Sequence, residues 1–389
     1  MKVAVAGAGT AGLAAAIFLR RRGHTVTVYE AISRADPVGA GFLIQPTGQR
    51  VLAELGLLNT LQQKGAVVKT LEGSRGNFLC LNLRYSDLNP EFSGLGLHRA
   101  NLQNTLLKAA VAAGVKIHFE SPVTHFEQRP GEKQVSFMAA GKSFEADLLI
   151  AADGTRSQLR PLLPIAQKSR PYPWGAFWLI CESDTWPHKN ILTQKYGEPW
   201  RTSGVLPTGK HPQTGKACYS IFWSIPASQF DLYRSDGLNL LEKKLKAFWP
   251  EAAELFAASR HSNWSVASYA DTRMPYWHHG RVVVLGDAAH SMSPQLGQGA
   301  NLALVDAWQL SRCLEHTGDI PLALAAYSDL RKRHLRWYRL ASRWMTPLYQ
   351  SYLPLGIFRD LGTWVFGKIK PLYREVLSLL SGYKGFRES

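Results

Sequence analysis

The chain has 389 residues, 46% hydrophobic and 19% charged, a composition that supports a large core, points to more than one domain, and excludes disorder and collagen-like sequence. Its 45 Lys and Arg against 29 Asp and Glu leave a formal charge of +16, which favours anionic small molecules, acidic membrane surfaces or nucleic acid without choosing among them. Four cysteines with no C-x-x-C pair, and no His cluster at zinc-finger spacing, indicate neither a disulfide framework nor a metal site and fit a reducing cytoplasm.

At the N-terminus, Val3 to Ala6 reads as a buried strand, Gly7 to Gly12 as a turn, and Leu13 to Arg22 as a helix with apolar residues at helical spacing. Glycines break the apolar run before Arg20, Arg21 and Arg22, a pattern unlike a signal peptide. A second strand, Thr25 to Tyr29, ends in Glu30 and completes a βαβ start of the kind that builds a parallel sheet. Gly7-Ala8-Gly9-Thr10-Ala11-Gly12 matches G-x-G-x-x-G in the strand-before, helix-after setting that dinucleotide binding needs. Gly7 permits the tight turn, Gly9 lets backbone approach a pyrophosphate, and Gly12 allows close packing of helix on strand. The free N–H groups of that helix hold the phosphates. Glu30 stands where a carboxylate accepts both ribose hydroxyls, and its charge repels a 2′-phosphate, so the expected dinucleotide is FAD or NAD rather than NADP.

Further along, Leu148 to Ala151 is an apolar strand leading into Ala152-Asp153-Gly154-Thr155-Arg156-Ser157-Gln158-Leu159-Arg160. All twelve tryptophans follow residue 173, and eight precede Gly280; they are core residues or the wall of an aromatic ligand site. Ala217 to Ile225 and Asn263 to Tyr269 read as strands with one apolar face. Val282 to Leu285 is another buried strand, followed by Gly286-Asp287-Ala288-Ala289-His290, then Pro294-Gln295-Leu296-Gly297-Gln298-Gly299-Ala300-Asn301, and a helix from about Ala300 to Glu315. The nucleotide-type pattern thus resumes after the tryptophan-rich segment, and the domains interleave. From Arg331 onward, 12 Lys and Arg stand against 3 Asp and Glu. The uncharged stretch from Trp344 to Phe358, broken by Pro347 and Pro354, is too short to span a bilayer. Two readings of this segment stay open: helices packed on the body of the protein, and a basic amphipathic surface for anionic lipid.

In combination and in this order, these motifs resemble the single-component FAD-dependent aromatic monooxygenases related to para-hydroxybenzoate hydroxylase, over roughly residues 1–340. The resemblance implies an α/β fold in which an FAD-binding, Rossmann-like parallel-sheet domain (1–70, 99–165 and 277–340) interleaves with a mixed-sheet substrate domain (71–98 and 166–276) and is followed by C-terminal helices (341–389). It implies that Gly7, Gly9, Ala11, Gly12, Glu30 and Gly41 contribute to the FAD site, and that Arg99 and Gln103 hold its phosphates and ribityl chain. Val123 is then where backbone meets the adenine, and Asp153 serves both FAD and the reducing nucleotide, supported by Arg160. Asp287 binds the ribityl chain, with Gly286 clearing space for it. Gly297, Gly299, Ala300 and Asn301 form a positive backbone nest for the reduced flavin, and Pro294 resembles the residue whose carbonyl lies at the reacting flavin edge. His290 reads as structural, and no acid or base is assigned.

The activity so implied is reduction of FAD by NADPH or NADH, formation of a flavin hydroperoxide with O2, and hydroxylation of an aromatic small molecule in a site closed to water. Ile221-Phe222-Trp223-Ser224-Ile225-Pro226 keeps part of the W-x-W-x-I-P motif, so a flavin-dependent halogenase is an alternative. Others are a quinone- or lipid-precursor hydroxylase held at a membrane by the basic C-terminal segment, and a flavin-binding protein without turnover. No metal and no nucleic-acid partner is expected. The expected state is a cytoplasmic monomer or homodimer.

Overall fold

Short, uncharged, β-branched runs build a sheet that is buried on both faces, and the first such runs in the chain do so here. The computed structural model describes residues 1–33, 40–129, 131–257, 259 and 264–386. Strands Val282–Val284, Leu148–Ala151, Lys2–Ala6, Thr25–Tyr29 and Lys116–His118 lie side by side in that order and run parallel. His278–His279 adds an antiparallel edge. Val3 to Ala6, Leu148 to Ala151 and Val282 to Val284 are all buried. Helices Thr10–Arg21 and Gly299–His316 pack together and share this core. The first helix begins three residues before the sequence pattern suggests, because Gly9 is its extended N-cap and Thr10 to Gly12 already form its first turn.

The second body is a seven-stranded sheet in the order Trp264–Arg273, Lys168–Glu182, Ala217–Pro226, Thr202–Lys210, Ile191–Tyr196, Thr70–Arg75, Phe78–Arg84. Every pairing in it is antiparallel except that of Ile191–Tyr196 with Thr70–Arg75. Asn263, which opens one expected strand, lies outside the described residues; the strand continues past Tyr269 to Arg273. On one face Phe177, Leu179, Ile221 and Trp223 form a core that includes Tyr233 and Leu241 of helix Phe230–Phe248 and Phe256 of helix Pro250–Ala257. Because side chains alternate along a strand, Trp178, Phe222 and Tyr269 face the other way.

A small sheet of Gly41–Ile44, Gly94–His98 and Ala66–Val68 joins the two bodies. Bare backbone makes the joint possible: a Cβ on Gly96 would lie 1.8 Å from the Pro207 carbonyl oxygen. At Gly41 it would lie 1.9 Å from Thr208 Cγ2. The protein is therefore α/β, with a parallel-sheet unit interleaved with a mixed sheet and closed by the C-terminal helices Ile320–Tyr349, Gly356–Lys368 and Lys370–Leu380. The uncharged stretch 344–358 is no single element, since it spans the end of one helix, a break at Pro354 and the start of the next.

Candidate functional site

In an open parallel sheet, ligands bind beyond the carboxyl ends of the strands, and four of the predicted segments meet there. Gly7 has φ +103°, and a Cβ on it would lie 2.4 Å from the Ala152 carbonyl oxygen. One on Gly12 would lie 2.0 Å from the Gly7 carbonyl oxygen, whereas one on Gly9 would meet nothing within 4 Å. Gly7 and Gly12 are thus required by packing, while Gly9 borders open space. Glu30 Oε2 accepts the Ala8 N–H at 2.6 Å, and Gln103 Nε2 donates to the Ala8 carbonyl at 2.5 Å. These two polar side chains flank the glycine turn from the next strand and from helix Arg99–Ala112.

The Asp153 and Asp287 segments are linked across the sheet edge. Thr155 Oγ1 donates to Asp287 Oδ2 at 3.2 Å, and buried Arg160 donates from Nη1 to the Ala288 carbonyl at 2.9 Å. Asp153 Oδ2 accepts the backbone N–H groups of Gln158 and Leu159 at 2.8 and 3.1 Å, so this oxygen organises its own loop. Asp287 is exposed between buried residues, and a Cβ on Gly299 would lie 3.8 Å from its Oδ1. Gly286 has φ +58° and lies against Ala11, where a Cβ would come within 3.1 Å of the Ala11 Cβ. Gly7, Gly9, Ala11, Gly12, Glu30, Gln103, Asp153, Gly286, Asp287 and Gly299 therefore belong to one constellation.

The remaining predicted residues are placed less directly. The Pro294 carbonyl accepts the Gly297 N–H at 2.9 Å, which closes a turn before helix Gly299–His316, and Gly297 takes the left-handed conformation at φ +59°. That helix has no acidic residue in its first turn, so Gly299, Ala300 and Asn301 present N–H groups at its positive end. The Asn301 side chain is itself a brace, accepting the Gln45 N–H at 2.8 Å and donating to the Leu43 carbonyl at 3.2 Å. Gly41 is taken up by packing against the large sheet and donates its N–H to Ser220 Oγ at 2.6 Å. Val123 is buried at the start of strand Val123–Glu127, close after Ser121, whose N–H reaches the Glu30 carbonyl at 2.8 Å. Arg99 is exposed at the first position of its helix.

Sequence reasoning missed one group of residues and left a second unresolved. The first is a buried ionic cluster around Asp306. Its carboxylate accepts the Gly286 N–H at 2.8 Å and is paired at 2.6 Å with both His290 Nε2 and Arg331 Nε. Burial works against its charge, but His290 and Arg331 outweigh this and hold the carboxyl down at about 2. His290 is buried and taken up by this carboxylate. An isolated acid inside the apolar run Leu302 to Leu310 was the available signal, while Arg331 was indistinguishable from surface charge.

The second is the aromatic wall: the tryptophan-rich segment left core and ligand wall both open, and Phe222 and Tyr269 carried no signal of their own. Trp178 and Phe222 have ring centroids 5.3 Å apart, and Trp178 Nε1 approaches the Tyr269 hydroxyl at 3.4 Å. All three are partly exposed. Burial raises the Tyr269 phenol above its usual range. Arg156 Nη2 bonds Ser268 Oγ at 3.3 Å, and Thr272 N bonds the Ser291 carbonyl at 2.9 Å, fixing the wall strand to both Asp segments. Of the eight middle tryptophans, Trp174, Trp186, Trp223, Trp249 and Trp277 are buried core.

A glycine turn with open space at Gly9, a helix N-terminus without an acidic first turn, and an exposed carboxylate opposite define the class: a dinucleotide-binding protein of the doubly wound type. The donor set suits FAD. A family model described as FAD binding domain matches residues 1–336. The FAD-dependent urate hydroxylase of Klebsiella pneumoniae is 30% identical over 363 residues, covering 88% of this chain and 89% of that protein. Aurachin C monooxygenase/isomerase of Stigmatella aurantiaca is 28% identical over 338 residues, covering 85% of each. Among solved structures, Klebsiella pneumoniae HpxO complexed with FAD and uric acid has a TM-score of 0.82 at 25% identity, with 97% of each chain covered. The tetrameric form of 2-methyl-3-hydroxypyridine-5-carboxylic acid oxygenase has a TM-score of 0.75 at 25% identity, covering 92% of this chain and 95% of that one. This chain belongs to the FAD-binding-domain family, among the FAD-dependent monooxygenases and hydroxylases of the flavoprotein aromatic hydroxylase group. These relatives do not favour the halogenase alternative, and Trp223 of the partial motif is buried on the far face of the sheet.

Proposed function

We propose that the protein hydroxylates an aromatic small molecule, using O2 and NADPH or NADH, with FAD held at the edge of the parallel sheet. The wall of Trp178, Phe222 and Tyr269, on strands bonded to the Asp153 and Asp287 segments, carries this reading, because three part-exposed rings on a rigid sheet favour a planar apolar ligand. Bound FAD would supply the redox chemistry, the passage of two electrons from the nicotinamide to O2. In the balanced reaction the substrate C–H becomes C–OH, the second oxygen atom leaves as water, and NAD(P)H plus one proton becomes NAD(P)⁺.

The residues of this chain bind and orient. Gly7, Gly9, Ala11 and Gly12 leave room for the pyrophosphate at the N-terminus of helix Thr10–Arg21. Glu30 takes the adenosine ribose, exchanging its present bond to the Ala8 N–H for ribose hydroxyls. Arg99 and Gln103 serve the phosphates and ribityl chain, Asp287 the ribityl hydroxyls, and Val123 the adenine. Gly41 contributes through the joint it packs, and Asp153 holds the loop between cofactor and reductant. The N–H groups at Gly299, Ala300 and Asn301, with Gly297 ahead of them, offer positive potential to negative charge on the cofactor. Pro294 positions that loop through its bond to Gly297.

Exclusion of water falls to the C-terminal segment. Gln350 accepts from Gln295 at 2.8 Å and donates to Ser224 at 3.0 Å, while Gln298 donates to the Leu380 carbonyl at 2.5 Å. These bonds clamp the Pro294 loop between the large sheet and the last helices. The test is a screen of phenols, anilines, quinolones and aromatic acids for stimulated NAD(P)H oxidation, with mass analysis of products. Gain of one oxygen atom supports the reading. Failure of every aromatic to yield an oxygenated product by the flavin-loaded enzyme overturns it.

A further inference from the structure

Helix Gly356–Lys368 is docked with its polar side inward. Its buried residues are Gly356, Arg359 and Asp360. Ile357 and Phe358 are each 68% exposed, and Leu361, Trp364 and Val365 are exposed as well. With about 100° of turn per residue, these five side chains share an arc of about 120°, while Arg359, Asp360 and Thr363 lie on the other side. A buried ionic cluster enforces this orientation. Arg359 Nε donates to Asp360 Oδ1 at 2.7 Å, its Nη2 donates to the Gly197 carbonyl at 2.8 Å, and its guanidinium lies 4.6 Å from the Tyr196 ring centroid. Arg75 bonds Asp360 Oδ2 at 3.2 Å and also pairs with Glu198. Turning the apolar arc inward would break every one of these contacts, so the arc is left for something outside the chain.

We propose that this face docks on a bilayer containing anionic phospholipid. Charge selects that occupant. From Arg331 onward there are 12 Lys and Arg against 3 acids; of these, Arg331, Arg359 and Asp360 are buried and Lys384 pairs with Glu375, which leaves the exposed surface basic. Lys368 and Lys370, at the end of the helix, have no ion-pair partner among the described residues. A symmetric second copy would set these cations against one another, whereas anionic headgroups complement them. Trp344 and Tyr352 before the helix and Ile369 after it are exposed as well. Aromatic rings with adjacent lysines suit the headgroup boundary, and the Lys368 Nζ lies 5.6 Å from the Trp364 ring centroid. No helix among the described residues is long and apolar enough to cross a membrane, so the mode of contact is peripheral.

The experiment is vesicle flotation of the full-length, FAD-loaded protein with phosphatidylcholine alone or mixed with phosphatidylglycerol. The protein is expected to float with the anionic vesicles and to stay behind with the neutral ones. F358S/L361S/W364S should lower partitioning at least tenfold with flavin content unchanged. K368Q/K370Q, which alters only exposed side chains, should lower it about fivefold per lysine, and this second variant keeps the test decisive should the triple variant fail to fold. Wild type that ignores anionic vesicles, or a folded triple variant that binds as wild type does, overturns the proposal. So does concentration-dependent self-association that the triple variant abolishes in a protein that does not bind vesicles, since the occupant is then a second copy.

Discussion

Replacing Asp306 by Ala removes the acceptor at which three elements meet: the Gly286 N–H, His290 and Arg331. Asp306 is 0% and Arg331 1% exposed, so water cannot take over as partner. Breaking a buried pair from one side costs about 3–5 kcal/mol, because the remaining guanidinium stays buried and uncompensated. Against a total stability of about 5–15 kcal/mol, that is a large fraction. The loss should also reach the site, because the Gly286 N–H held by Asp306 belongs to the residue whose φ of +58° sets up the presentation of Asp287. Guanidinium denaturation followed by tryptophan emission measures the stability term, and flavin titration measures the second. Asp306→Asn, which keeps one acceptor but sets an NH2 against either Arg331 or the Gly286 N–H, should fall between wild type and Ala. A D306A protein within about 1 kcal/mol of wild type, with unchanged flavin affinity, would refute the reasoning.

Gly9→Ala and Gly12→Ala should behave oppositely. The Gly9 Cβ has open space, so G9A folds normally yet binds FAD more weakly, while the Gly12 Cβ would meet the Gly7 carbonyl oxygen at 2.0 Å and G12A is structurally unstable; paired flavin titrations and melts check both. Asp287→Ala should weaken FAD binding by about tenfold to a hundredfold, the loss of a charge-assisted hydrogen bond, with the fold intact because the side chain is exposed. A D287A protein that binds flavin with the wild-type Kd would contradict that role. Stability should also fall in mild acid. Burial, then His211, pushes His98 down to about 4, and burial, then Arg331, pushes His334 down to about 3, both from 6.5. The unfolded chain therefore takes up protons that the folded chain refuses. The contribution of each residue is complete above pH 6.5 and lost as pH falls, by about 2 kcal/mol at pH 5. Denaturation at pH 7 and pH 5 measures the slope, which His334→Gln should flatten; equal stability at both pH values would rule this out.

The glycine turn, Glu30 and the two Asp-bearing strand ends were legible in the sequence because their demands are local. A left-handed φ at Gly7 or Gly286, a run of β-branched residues and a helix period are each written within about ten residues. The order of those motifs was also sufficient to indicate the family. What the sequence could not indicate was which side chains meet across the fold. Asp306 and Arg331 are 25 residues apart, and Trp178 and Tyr269 are 91 apart. Their pairing depends on how the helices cross and on strand register. The helix Gly356–Lys368 makes the same point in reverse. Its sequence marks apolar residues clearly, but by pattern alone they suit packing on the body of the protein as well as an outward amphipathic surface. Only the tertiary structure, by sealing Arg359 and Asp360 against Arg75 and Glu198, decided that the apolar side faces outward, because unpaired buried charge costs more than exposed hydrocarbon.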